Sequence, residues 1–198
     1  SNELIINSTQ NGCRIALLKN KQLVEFHQED EGERFNVGDI YLGTVKKVVQ
    51  GLNAAFIDIG YEKDAFLHYL DLGPQVQSLN KFTKLALTRK DTSAKLNTFK
   101  HEPDIHKLGK INQVLTKNQK ILVQVVKEPI STKGPRLSCE LSIAGRYLVL
   151  VPFSNTVNVS KKITDSGERK RLGRLISSIK PENFGVIIRT VAQGKDVK

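Results

Sequence analysis

Five short segments rich in β-forming residues, between Gly38 and Ile143, constrain the fold of this chain more than any other feature. The segments are GDIYLGTVKKVV, NAAFIDIG, KDAFLH, KILVQVVKE and RLSCELSI. Short strands with glycine-marked turns are typical of a small closed barrel rather than of an open parallel sheet. The sequence therefore predicts a mainly β fold, with a minor α+β part, built around a five-stranded barrel.

Further strands flank the predicted barrel on both sides. Before it, ELIIN, RIALLK and QLVEFH read as three strands, followed by the acidic loop QEDEGER. After it, AGRYLVLVP predicts one strand ending at Pro152, and the polar stretch FSNTVNVSKK separates this strand from a last one in FGVIIRTVAQ. We divide the chain accordingly into residues 1–36, 37–140 and 141–198.

One helix is predicted, at about residues 166–180. Its apolar residues recur at i, i+3, i+4 and i+7, namely at Leu172, Leu175, Ile176 and Ile179. Asp165 or Ser166 can cap the first turn, and Pro181 ends the helix.

Residues 76–107 interrupt the barrel pattern and show no clean period of either 2 or 3.6. We interpret this segment as a long loop or irregular insertion that becomes ordered on binding. It holds seven Lys and Arg. These cations would either contact a nucleic-acid backbone or form a solvated face, and the sequence leaves both open.

The net charge of +11 is unevenly distributed. Residues 1–75 hold 7 Lys and Arg against 11 Asp and Glu, whereas residues 76–198 hold 24 against 9. A positive field of this kind favours a polyanionic partner such as RNA, DNA or an anionic membrane surface, although a merely soluble basic protein has the same composition.

Other classes of protein are less favoured. No apolar run approaches the roughly 20 residues that span a bilayer, and the start SNELIINSTQ does not resemble a signal peptide. We therefore expect a cytoplasmic protein that binds no membrane. Cys13 and Cys139 are far apart, which favours buried free thiols over a zinc site or a disulfide. We expect the four scattered histidines to be solvated.

The segment NAAFIDIGYEKDAFLH predicts a hairpin with two different faces. A turn around Gly60 pairs Phe56 with Phe66 and Ile57 with Ala65. Because side chains alternate along a strand, both rings then lie on the face opposite the aliphatic residues. Aromatic rings on the polar face of a small barrel suit base stacking, whereas a covering segment would make them a second small core.

Several of these segments, in order, resemble the ribonuclease E/G family. GDIYLGTVKKVVQGLNAAFIDIGYEKDAFLHYLDL resembles the S1 domain of that family, an RNA-binding OB-fold barrel. VQVVKEPISTKGPRLS, RYLVLVP, SKKI and GVIIRTVAQGK continue the resemblance, and ELIINSTQNGCRIALL resembles the family's opening strands. The details are closer to the ribonuclease G branch. The resemblance implies an S1-type barrel inserted between opening strands of a ribonuclease H-like subdomain and a small α+β 5′-sensor region.

The resemblance also implies roles for individual residues of the barrel. In the family, two surface aromatics and a nearby lysine hold single-stranded RNA. The aromatics match Phe56 and Phe66, and the lysine matches Lys133 in the loop STKGPR.

A second set of residues matches the family's 5′ sensor, a pocket that reads a 5′-monophosphate. Its arginine and threonine match Arg189 and Thr190, while Gly145 and Val149 match positions that line the pocket. A guanidinium can fork two hydrogen bonds onto a phosphate, which suits the implied role. The preferred partner would be single-stranded RNA with a 5′-monophosphate.

The family cleaves RNA with two aspartates that hold Mg²⁺ in a nuclease domain, and a later cysteine motif binds zinc. Neither motif has a counterpart in this chain. We therefore expect the chain to be the RNA-binding N-terminal part of a homo-oligomeric, Mg²⁺-dependent endoribonuclease and to be inactive alone. We also expect unpaired strand edges, and hence self-association or disorder, around residues 1–35.

Two other functions stay open. A stand-alone S1-type module, acting in translation or on the ribosome, would bind RNA without a cleavage step and without a preference for a 5′-monophosphate. A hydrolase that uses Asp58 and Asp64 would itself cleave its substrate in the presence of Mg²⁺, although solvated acids flanking a turn are the simpler interpretation of this pair.

Overall fold

The structure is a computed structural model that describes residues 1–9, 12–30, 35–88 and 96–196. This part of the chain is mainly β, as the sequence predicts. Its strands are β1 Asn2–Thr9, β2 Gly12–Lys19, β3 Gln22–Asp30, β4 Ile40–Val49, β5 Ala54–Asp58, β6 Ala65–His68, β7 Lys120–Lys127, β8 Arg136–Ser138, β9 Ile143–Ala144, β10 Leu148–Pro152, β11 Val157–Val159 and β12 Phe184–Ile188. Its helices are α1 Val76–Leu87 and α2 Ser166–Ile179. Among the described residues, neither helix has the length and apolar character needed to cross a membrane.

The first compact unit, which ends at Asn36, is a three-stranded antiparallel sheet in the order β1-β2-β3. Asn20 and Lys21 join β2 to β3 with positive φ values of 50° and 65°, as in the tight turns that match strand twist. The three predicted strands are confirmed, but the acidic loop begins later than expected, because residues 28–30 extend β3. Residues 31–34 lie outside the described part.

Apolar side chains are exposed on the edge strands of this sheet. They are Leu4, Ile5, Ile6, Leu23, Val24 and Phe26. Exposed strand edges with apolar side chains favour pairing with another chain. Self-association through β1 or β3 therefore stays a prediction.

The second compact unit begins at Val37 and contains the predicted five-stranded barrel. Its closed strand order is β4-β5-β6-β8-β7, with β7 pairing back to β4. Only the pairing of β6 with β8 is parallel among these strands of the described chain. The interior is filled by fully buried side chains, among them Val45, Ile57, Leu67, Ile121, Val123 and Leu137.

The segment at residues 76–107 begins with helix α1, so the prediction of a loop was wrong for Val76–Leu87. Val76, Leu79 and Thr83 lie at i, i+3 and i+7 and are buried. Ser78 is buried as well, and its hydroxyl accepts a hydrogen bond from the backbone N–H of Glu102 at 2.9 Å. Because two of the buried positions are hydroxyl residues, the apolar period was too weak to predict the helix. Residues 96–107 are irregular, as expected, and residues 89–95 lie outside the described part.

A second sheet follows the barrel, in the order β11-β12-β10-β9. The single strand predicted for AGRYLVLVP is in fact two antiparallel strands, β9 and β10, which the segment 145–147 connects. The polar stretch FSNTVNVSKK, for which no strand was predicted, contains β11, which pairs in parallel with β12. Both corrections have one cause, since strands of two or three residues are too short to show an alternating pattern.

Helix α2 is confirmed and covers one face of this sheet. The Asp165 side chain accepts the backbone N–H of Glu168 at 2.6 Å, which is the predicted cap. Leu172 and Ile176 are buried in a core that α2 shares with the sheet, whereas Ile179 is 54% exposed.

An aromatic cluster connects α1 to the second sheet. Phe82 of α1, Phe99 and Phe153 pack with ring centroids 5.2–6.3 Å apart. Phe153 follows β10 directly, is 5% exposed and has a φ of 61°. A bulky residue adopts positive φ only where its surroundings hold it there, so the packing of this ring outweighs the strain of its backbone.

We expect Phe153→Ala to lower the free energy of unfolding by about 3–5 kcal/mol, because it removes the ring at the centre of the cluster. Urea unfolding followed by circular dichroism measures this change. Phe26→Ala is a matched control on an exposed ring and should cost less than about 1 kcal/mol. A loss of less than about 1 kcal/mol for Phe153→Ala would show that the cluster contributes little to stability.

Candidate nucleic-acid interface

The hairpin of β5 and β6 places Phe56 and Phe66 on the outside of the barrel. Its register pairs Phe56 with Phe66 and Ile57 with Ala65, as predicted. Ile57 and Ala65 are fully buried, whereas both phenylalanines are only half-buried. The two rings meet edge to face, with centroids 5.8 Å apart and planes at 69°. A partly exposed aromatic pair is therefore available on the outer surface.

His68 continues this row along β6. It was expected to be solvated, but it is half-buried, and its ring centroid lies 6.4 Å from that of Phe66. Its Nδ1 accepts the backbone N–H of Leu70 at 3.1 Å. The imidazole is thus held at the edge of the aromatic pair by the chain that follows β6.

Lys133 lies on a tight loop between β7 and β8, close to the hairpin. The backbone groups of Ile130 and Lys133 exchange two hydrogen bonds, of 3.0 and 3.2 Å, which closes the loop. A Cβ atom on Gly134 would collide with the backbone carbonyl of Asp64. Only glycine therefore allows the loop to approach the hairpin this closely.

The aromatic pair and this loop line one open groove with a volume of about 670 Å³. Its cationic side chains are those of Lys63, Lys127, Lys133 and Arg136, and its acidic ones are those of Asp64 and Glu128. Arg136 donates from Nε and Nη2 to Asp71 Oδ2, at 3.0 and 2.8 Å, so its guanidinium is held by a carboxylate. No described residue forms an ion pair with Lys63, Lys127 or Lys133, so these side chains can follow a flexible anion.

The paired ladder of the hairpin ends at Ile57 and Ala65, and Asp58 and Asp64 lie just beyond it, towards the turn. Asp58 accepts the backbone N–H of Gly60 at 3.0 Å, and its other oxygen lies 3.6 Å from Lys46 Nζ. Both oxygens of Asp58 are thus already in contact with protein donors. The described residues contain no group of three or more His, Cys, Asp or Glu positioned to hold a metal ion.

The second candidate site lies where β12 ends. Arg189 follows the strand, and its Nη1 donates to the carbonyl oxygen of Gly145 at 2.7 Å. Its backbone N–H donates to the carbonyl of Tyr147 at 2.8 Å. The structure therefore brings Arg189 and Gly145 into direct contact, although 43 residues separate them in the sequence.

Thr190 begins a short 3₁₀ turn immediately after Arg189. Its hydroxyl lies 2.9 Å from the hydroxyl of Ser160, which follows β11. No sequence pattern indicated Ser160, because the three residues of β11 before it are too few to show an alternation. The parallel pairing of Val159 with Ile188 is what brings Ser160 beside Thr190.

Val149 lies in β10 on the sheet face that α2 does not cover. It pairs with Ile187 of β12, which is 41% exposed. Arg189 is two residues beyond Ile187 and has extended backbone angles, so its side chain leaves the chain on the same face. The open face of the sheet thus carries Val149, Ile187 and Arg189.

Two arginines of α2 form hydrogen bonds with neighbouring segments of the second unit. Arg169 donates to the backbone carbonyls of Ser160 and Ile163, at 2.7 and 2.8 Å. Arg171 donates to Glu168 and, at 2.9 Å, to Asp196. Arg171 is thus paired with carboxylates, whereas Arg169 is bound by neutral carbonyls and keeps its positive charge.

Glu168 connects the first turn of α2 to the chain beyond the 3₁₀ turn. It accepts two hydrogen bonds of 2.8 Å from Arg171 and one of 2.7 Å from the backbone N–H of Gly194. Chiefly because of the hydrogen bonds from Arg171, the pKa of Glu168 is lowered from its ordinary value of 4.5 to about 2. The carboxylate is therefore charged in the folded protein down to strongly acidic pH.

Neither cysteine is paired. Burial raises the pKa of the Cys139 thiol to about 12, so this group is not a nucleophile near neutral pH. Cys13 is only half-buried, which differs from the prediction of two buried thiols.

Glu168→Gln should destabilise the protein at pH 7, because it removes a charged acceptor from Arg171. A carboxyl with a lowered pKa contributes stability that is fully present above pH 4.5 and is lost as the pH falls towards 2. The difference in melting temperature between wild type and variant should therefore shrink between pH 4.5 and 2. Circular dichroism melts measure it, with the exposed Glu182→Gln as a control. A difference that is constant over this range would contradict the assignment.

Comparison with known proteins places these observations in one family. The model of the Ribonuclease E/G family matches residues 142–198. Over 192 residues the chain is 36% identical to ribonuclease G of Escherichia coli strain K12, covering 97% of this chain and 35% of that protein. It is 37% identical over 190 residues to ribonuclease E of a Nostoc species, covering 92% and 24%. It is 40% identical over 163 residues to a ribonuclease E/G-like protein of Porphyra purpurea, covering 82% and 27%.

The chain thus spans about a third of the length of the ribonuclease G relative and less of the other two. The similar identities do not separate the ribonuclease G branch from the ribonuclease E branch. Nearly the whole chain aligns with proteins of both branches, and the family model matches its last part. The chain therefore belongs to the ribonuclease E/G family.

Proposed function

We propose that this chain is the RNA-holding part of an endoribonuclease of the E/G type. The barrel, residues 37–140, would be an S1-type domain that binds single-stranded RNA, and residues 141–198 would read a 5′-monophosphate. Residues 1–36 would be the opening strands of a ribonuclease H-like subdomain. The observation that carries the proposal is the half-exposed pair of Phe56 and Phe66 beside the Lys133 loop, in a chain of this family.

Stacking is the interaction that the aromatic pair suits best. Each base of a single strand offers a π face, and base–aromatic stacking contributes about 1–3 kcal/mol per base without regard to sequence. Lys133 lies on the rim of the same groove and is exposed, so its ammonium can meet a phosphate of the stacked strand. The groove would thus hold bases on the rings and the backbone on the loop.

The 5′ end would be read by Arg189. One N–H of its guanidinium is used by the Gly145 carbonyl, which fixes the orientation of the group. The remaining N–H groups are the donors that phosphate prefers in a forked pair. The Thr190 hydroxyl would add a further donor, while Val149 and the backbone at Gly145 would line the pocket.

The full-length enzyme would cleave RNA elsewhere. The Mg²⁺ and zinc that the resemblance implies need clusters of carboxylates or cysteines, and no such cluster occurs among the described residues. We therefore assign no catalytic step to this chain. Homo-oligomer formation by the full-length protein and a cytoplasmic location are part of the same proposal.

Phe56→Ala and Phe66→Ala should each weaken binding of a single-stranded RNA by about 1–3 kcal/mol. Stability should change little, since both rings are half-buried on the outer face. Fluorescence anisotropy with a labelled oligoribonucleotide measures binding, and urea unfolding measures stability. Phe26→Ala removes an exposed ring from outside the barrel and is the matched control. A loss of about 3–5 kcal/mol in stability with unchanged binding would mean that the rings are core.

Arg189→Ala should abolish a preference for 5′-monophosphorylated over 5′-hydroxyl RNA of the same sequence. A charged hydrogen-bonded contact contributes about 1.5–3 kcal/mol, so wild type should prefer the phosphorylated strand roughly tenfold or more. Arg189→Lys keeps the positive charge but cannot donate a forked pair of hydrogen bonds. This variant should retain only part of the preference. Arg174→Ala, on the exposed side of α2, is the control. Equal affinities of wild type for both strands would favour the stand-alone S1-type module.

A further inference from the structure

A second groove on the barrel unit is lined by lysines, and none of its described lining residues is aromatic. It lies between α1 and the segment that leads into β7, with a volume of about 710 Å³. Lys81 and Lys84 line it from α1, and Lys117 and Lys120 line it from the other side. The resemblance assigns no role to any of these four residues.

The charges of three of these lysines are not neutralised by a described residue. Lys81 forms an ion pair of 2.6 Å with Glu102, the only acidic residue that lines the groove within the described chain. Lys84 and Lys117 are exposed, and no described carboxylate pairs with either. Lys120 donates from Nζ to the neutral hydroxyl of Thr44 at 2.6 Å and keeps its charge. The described residues that line the groove therefore carry a net charge of about +3 over a short distance, which favours a polyanion.

The lysines are held on a rigid frame rather than on a loose loop. The Gln119 side chain accepts the backbone N–H of Thr116 at 3.0 Å, which closes the turn that carries Lys117. Asn118 takes a φ of 68° in that turn, and its N–H donates to the carbonyl of Val45 at 2.7 Å. The turn is thus fixed to β4, so the positions of these charges are set by the barrel.

A row of paired strand residues leads from the lysine groove to the aromatic pair across the outer face of the barrel. Lys120 of β7 pairs with Thr44 of β4, and Thr44 pairs with Asp58 of β5. Asp58 lies two residues from Phe56 and on the same face of β5. From strand spacing, the Cα atoms of Phe56 and Lys120 are about 12 Å apart. Asp58 is the acidic residue between the lysines and the rings. Its carboxylate lies 3.6 Å from Lys46 Nζ, and this ion pair reduces its repulsion of a phosphate.

We propose that an RNA strand stacked on Phe56 and Phe66 continues across β4 and β7 into the lysine groove, where Lys84, Lys117 and Lys120 bind its phosphates. This inference rests on the proposed RNA-binding function and extends its footprint. The aromatic pair holds bases, and the lysine groove, which has no ring to stack on, holds backbone. Helix α1 thereby acquires a binding role, since its last turn presents Lys84.

The test uses the chain as it is, with two 5′-hydroxyl oligoribonucleotides of about 4 and about 12 nucleotides, which bracket the site sizes of such barrels. The triple variant Lys84→Ala, Lys117→Ala, Lys120→Ala should bind the longer strand at least tenfold more weakly than wild type and the shorter strand equally well. Its salt slope for the longer strand should fall by about 2, since each phosphate contact to a single strand contributes about 0.7.

A matched variant with three exposed lysines removed elsewhere, Lys19→Ala, Lys107→Ala, Lys170→Ala, controls for net charge. If both triple variants weaken the longer strand equally, or if the groove variant weakens both lengths equally, the lysine groove is not a separate contact. An unchanged affinity for the longer strand would overturn the inference as well. A third arm, Phe56→Ala with Phe66→Ala, tests the proposed function itself. Short-strand binding that survives this change would contradict stacking, whatever the lysine variant does.

Discussion

The register of β5 against β6 is the constraint on which the barrel and its surface both depend. Pairing Phe56 with Phe66 puts Ile57, Ala55, Ala65 and Leu67 inside, where all four are fully buried. A shift of one residue would exchange the two faces and bury two large rings in an interior that is already filled. The burial of small aliphatic residues therefore determines that the aromatic pair is outside. The packing of the core thus determines which side chains of the hairpin lie on the surface.

In each candidate site a glycine lies beside the group or element that positions a cation. Gly134 lets the Lys133 loop lie against the hairpin. Gly145 lies in the short connection between β9 and β10, and its carbonyl orients Arg189. In each site a second element positions the cation. The Lys133 loop lies against the hairpin, and the carbonyl of Gly145 accepts a hydrogen bond from Arg189. This separation allows long side chains to reach a ligand without a large loss of conformational freedom in the backbone.

Helix α1 and the aromatic cluster of Phe82, Phe99 and Phe153 join the barrel to the second sheet. On its other side, the same helix supplies two of the lysines in the groove beside β7. A single helix thus has one face that is core and another that is cationic surface. Such a division is common where one amphipathic element both stabilises a domain and shapes its electrostatic field.

The sequence by itself determined the local features: the five barrel strands, helix α2 with its Asp165 cap, and the parity that separates Phe56 and Phe66 from the aliphatic face. Each depends on periodicity or capping within one segment, which composition and spacing record directly. It did not determine helix α1, whose buried positions include Ser78 and Thr83, or the short strands β9 and β11. Only the tertiary structure decided that Ser160 lies beside Thr190, that Arg189 meets Gly145, and that Lys84 faces Lys117. These contacts join residues far apart in sequence, and their partners are chosen by sheet order and packing, for which no single segment carries a pattern.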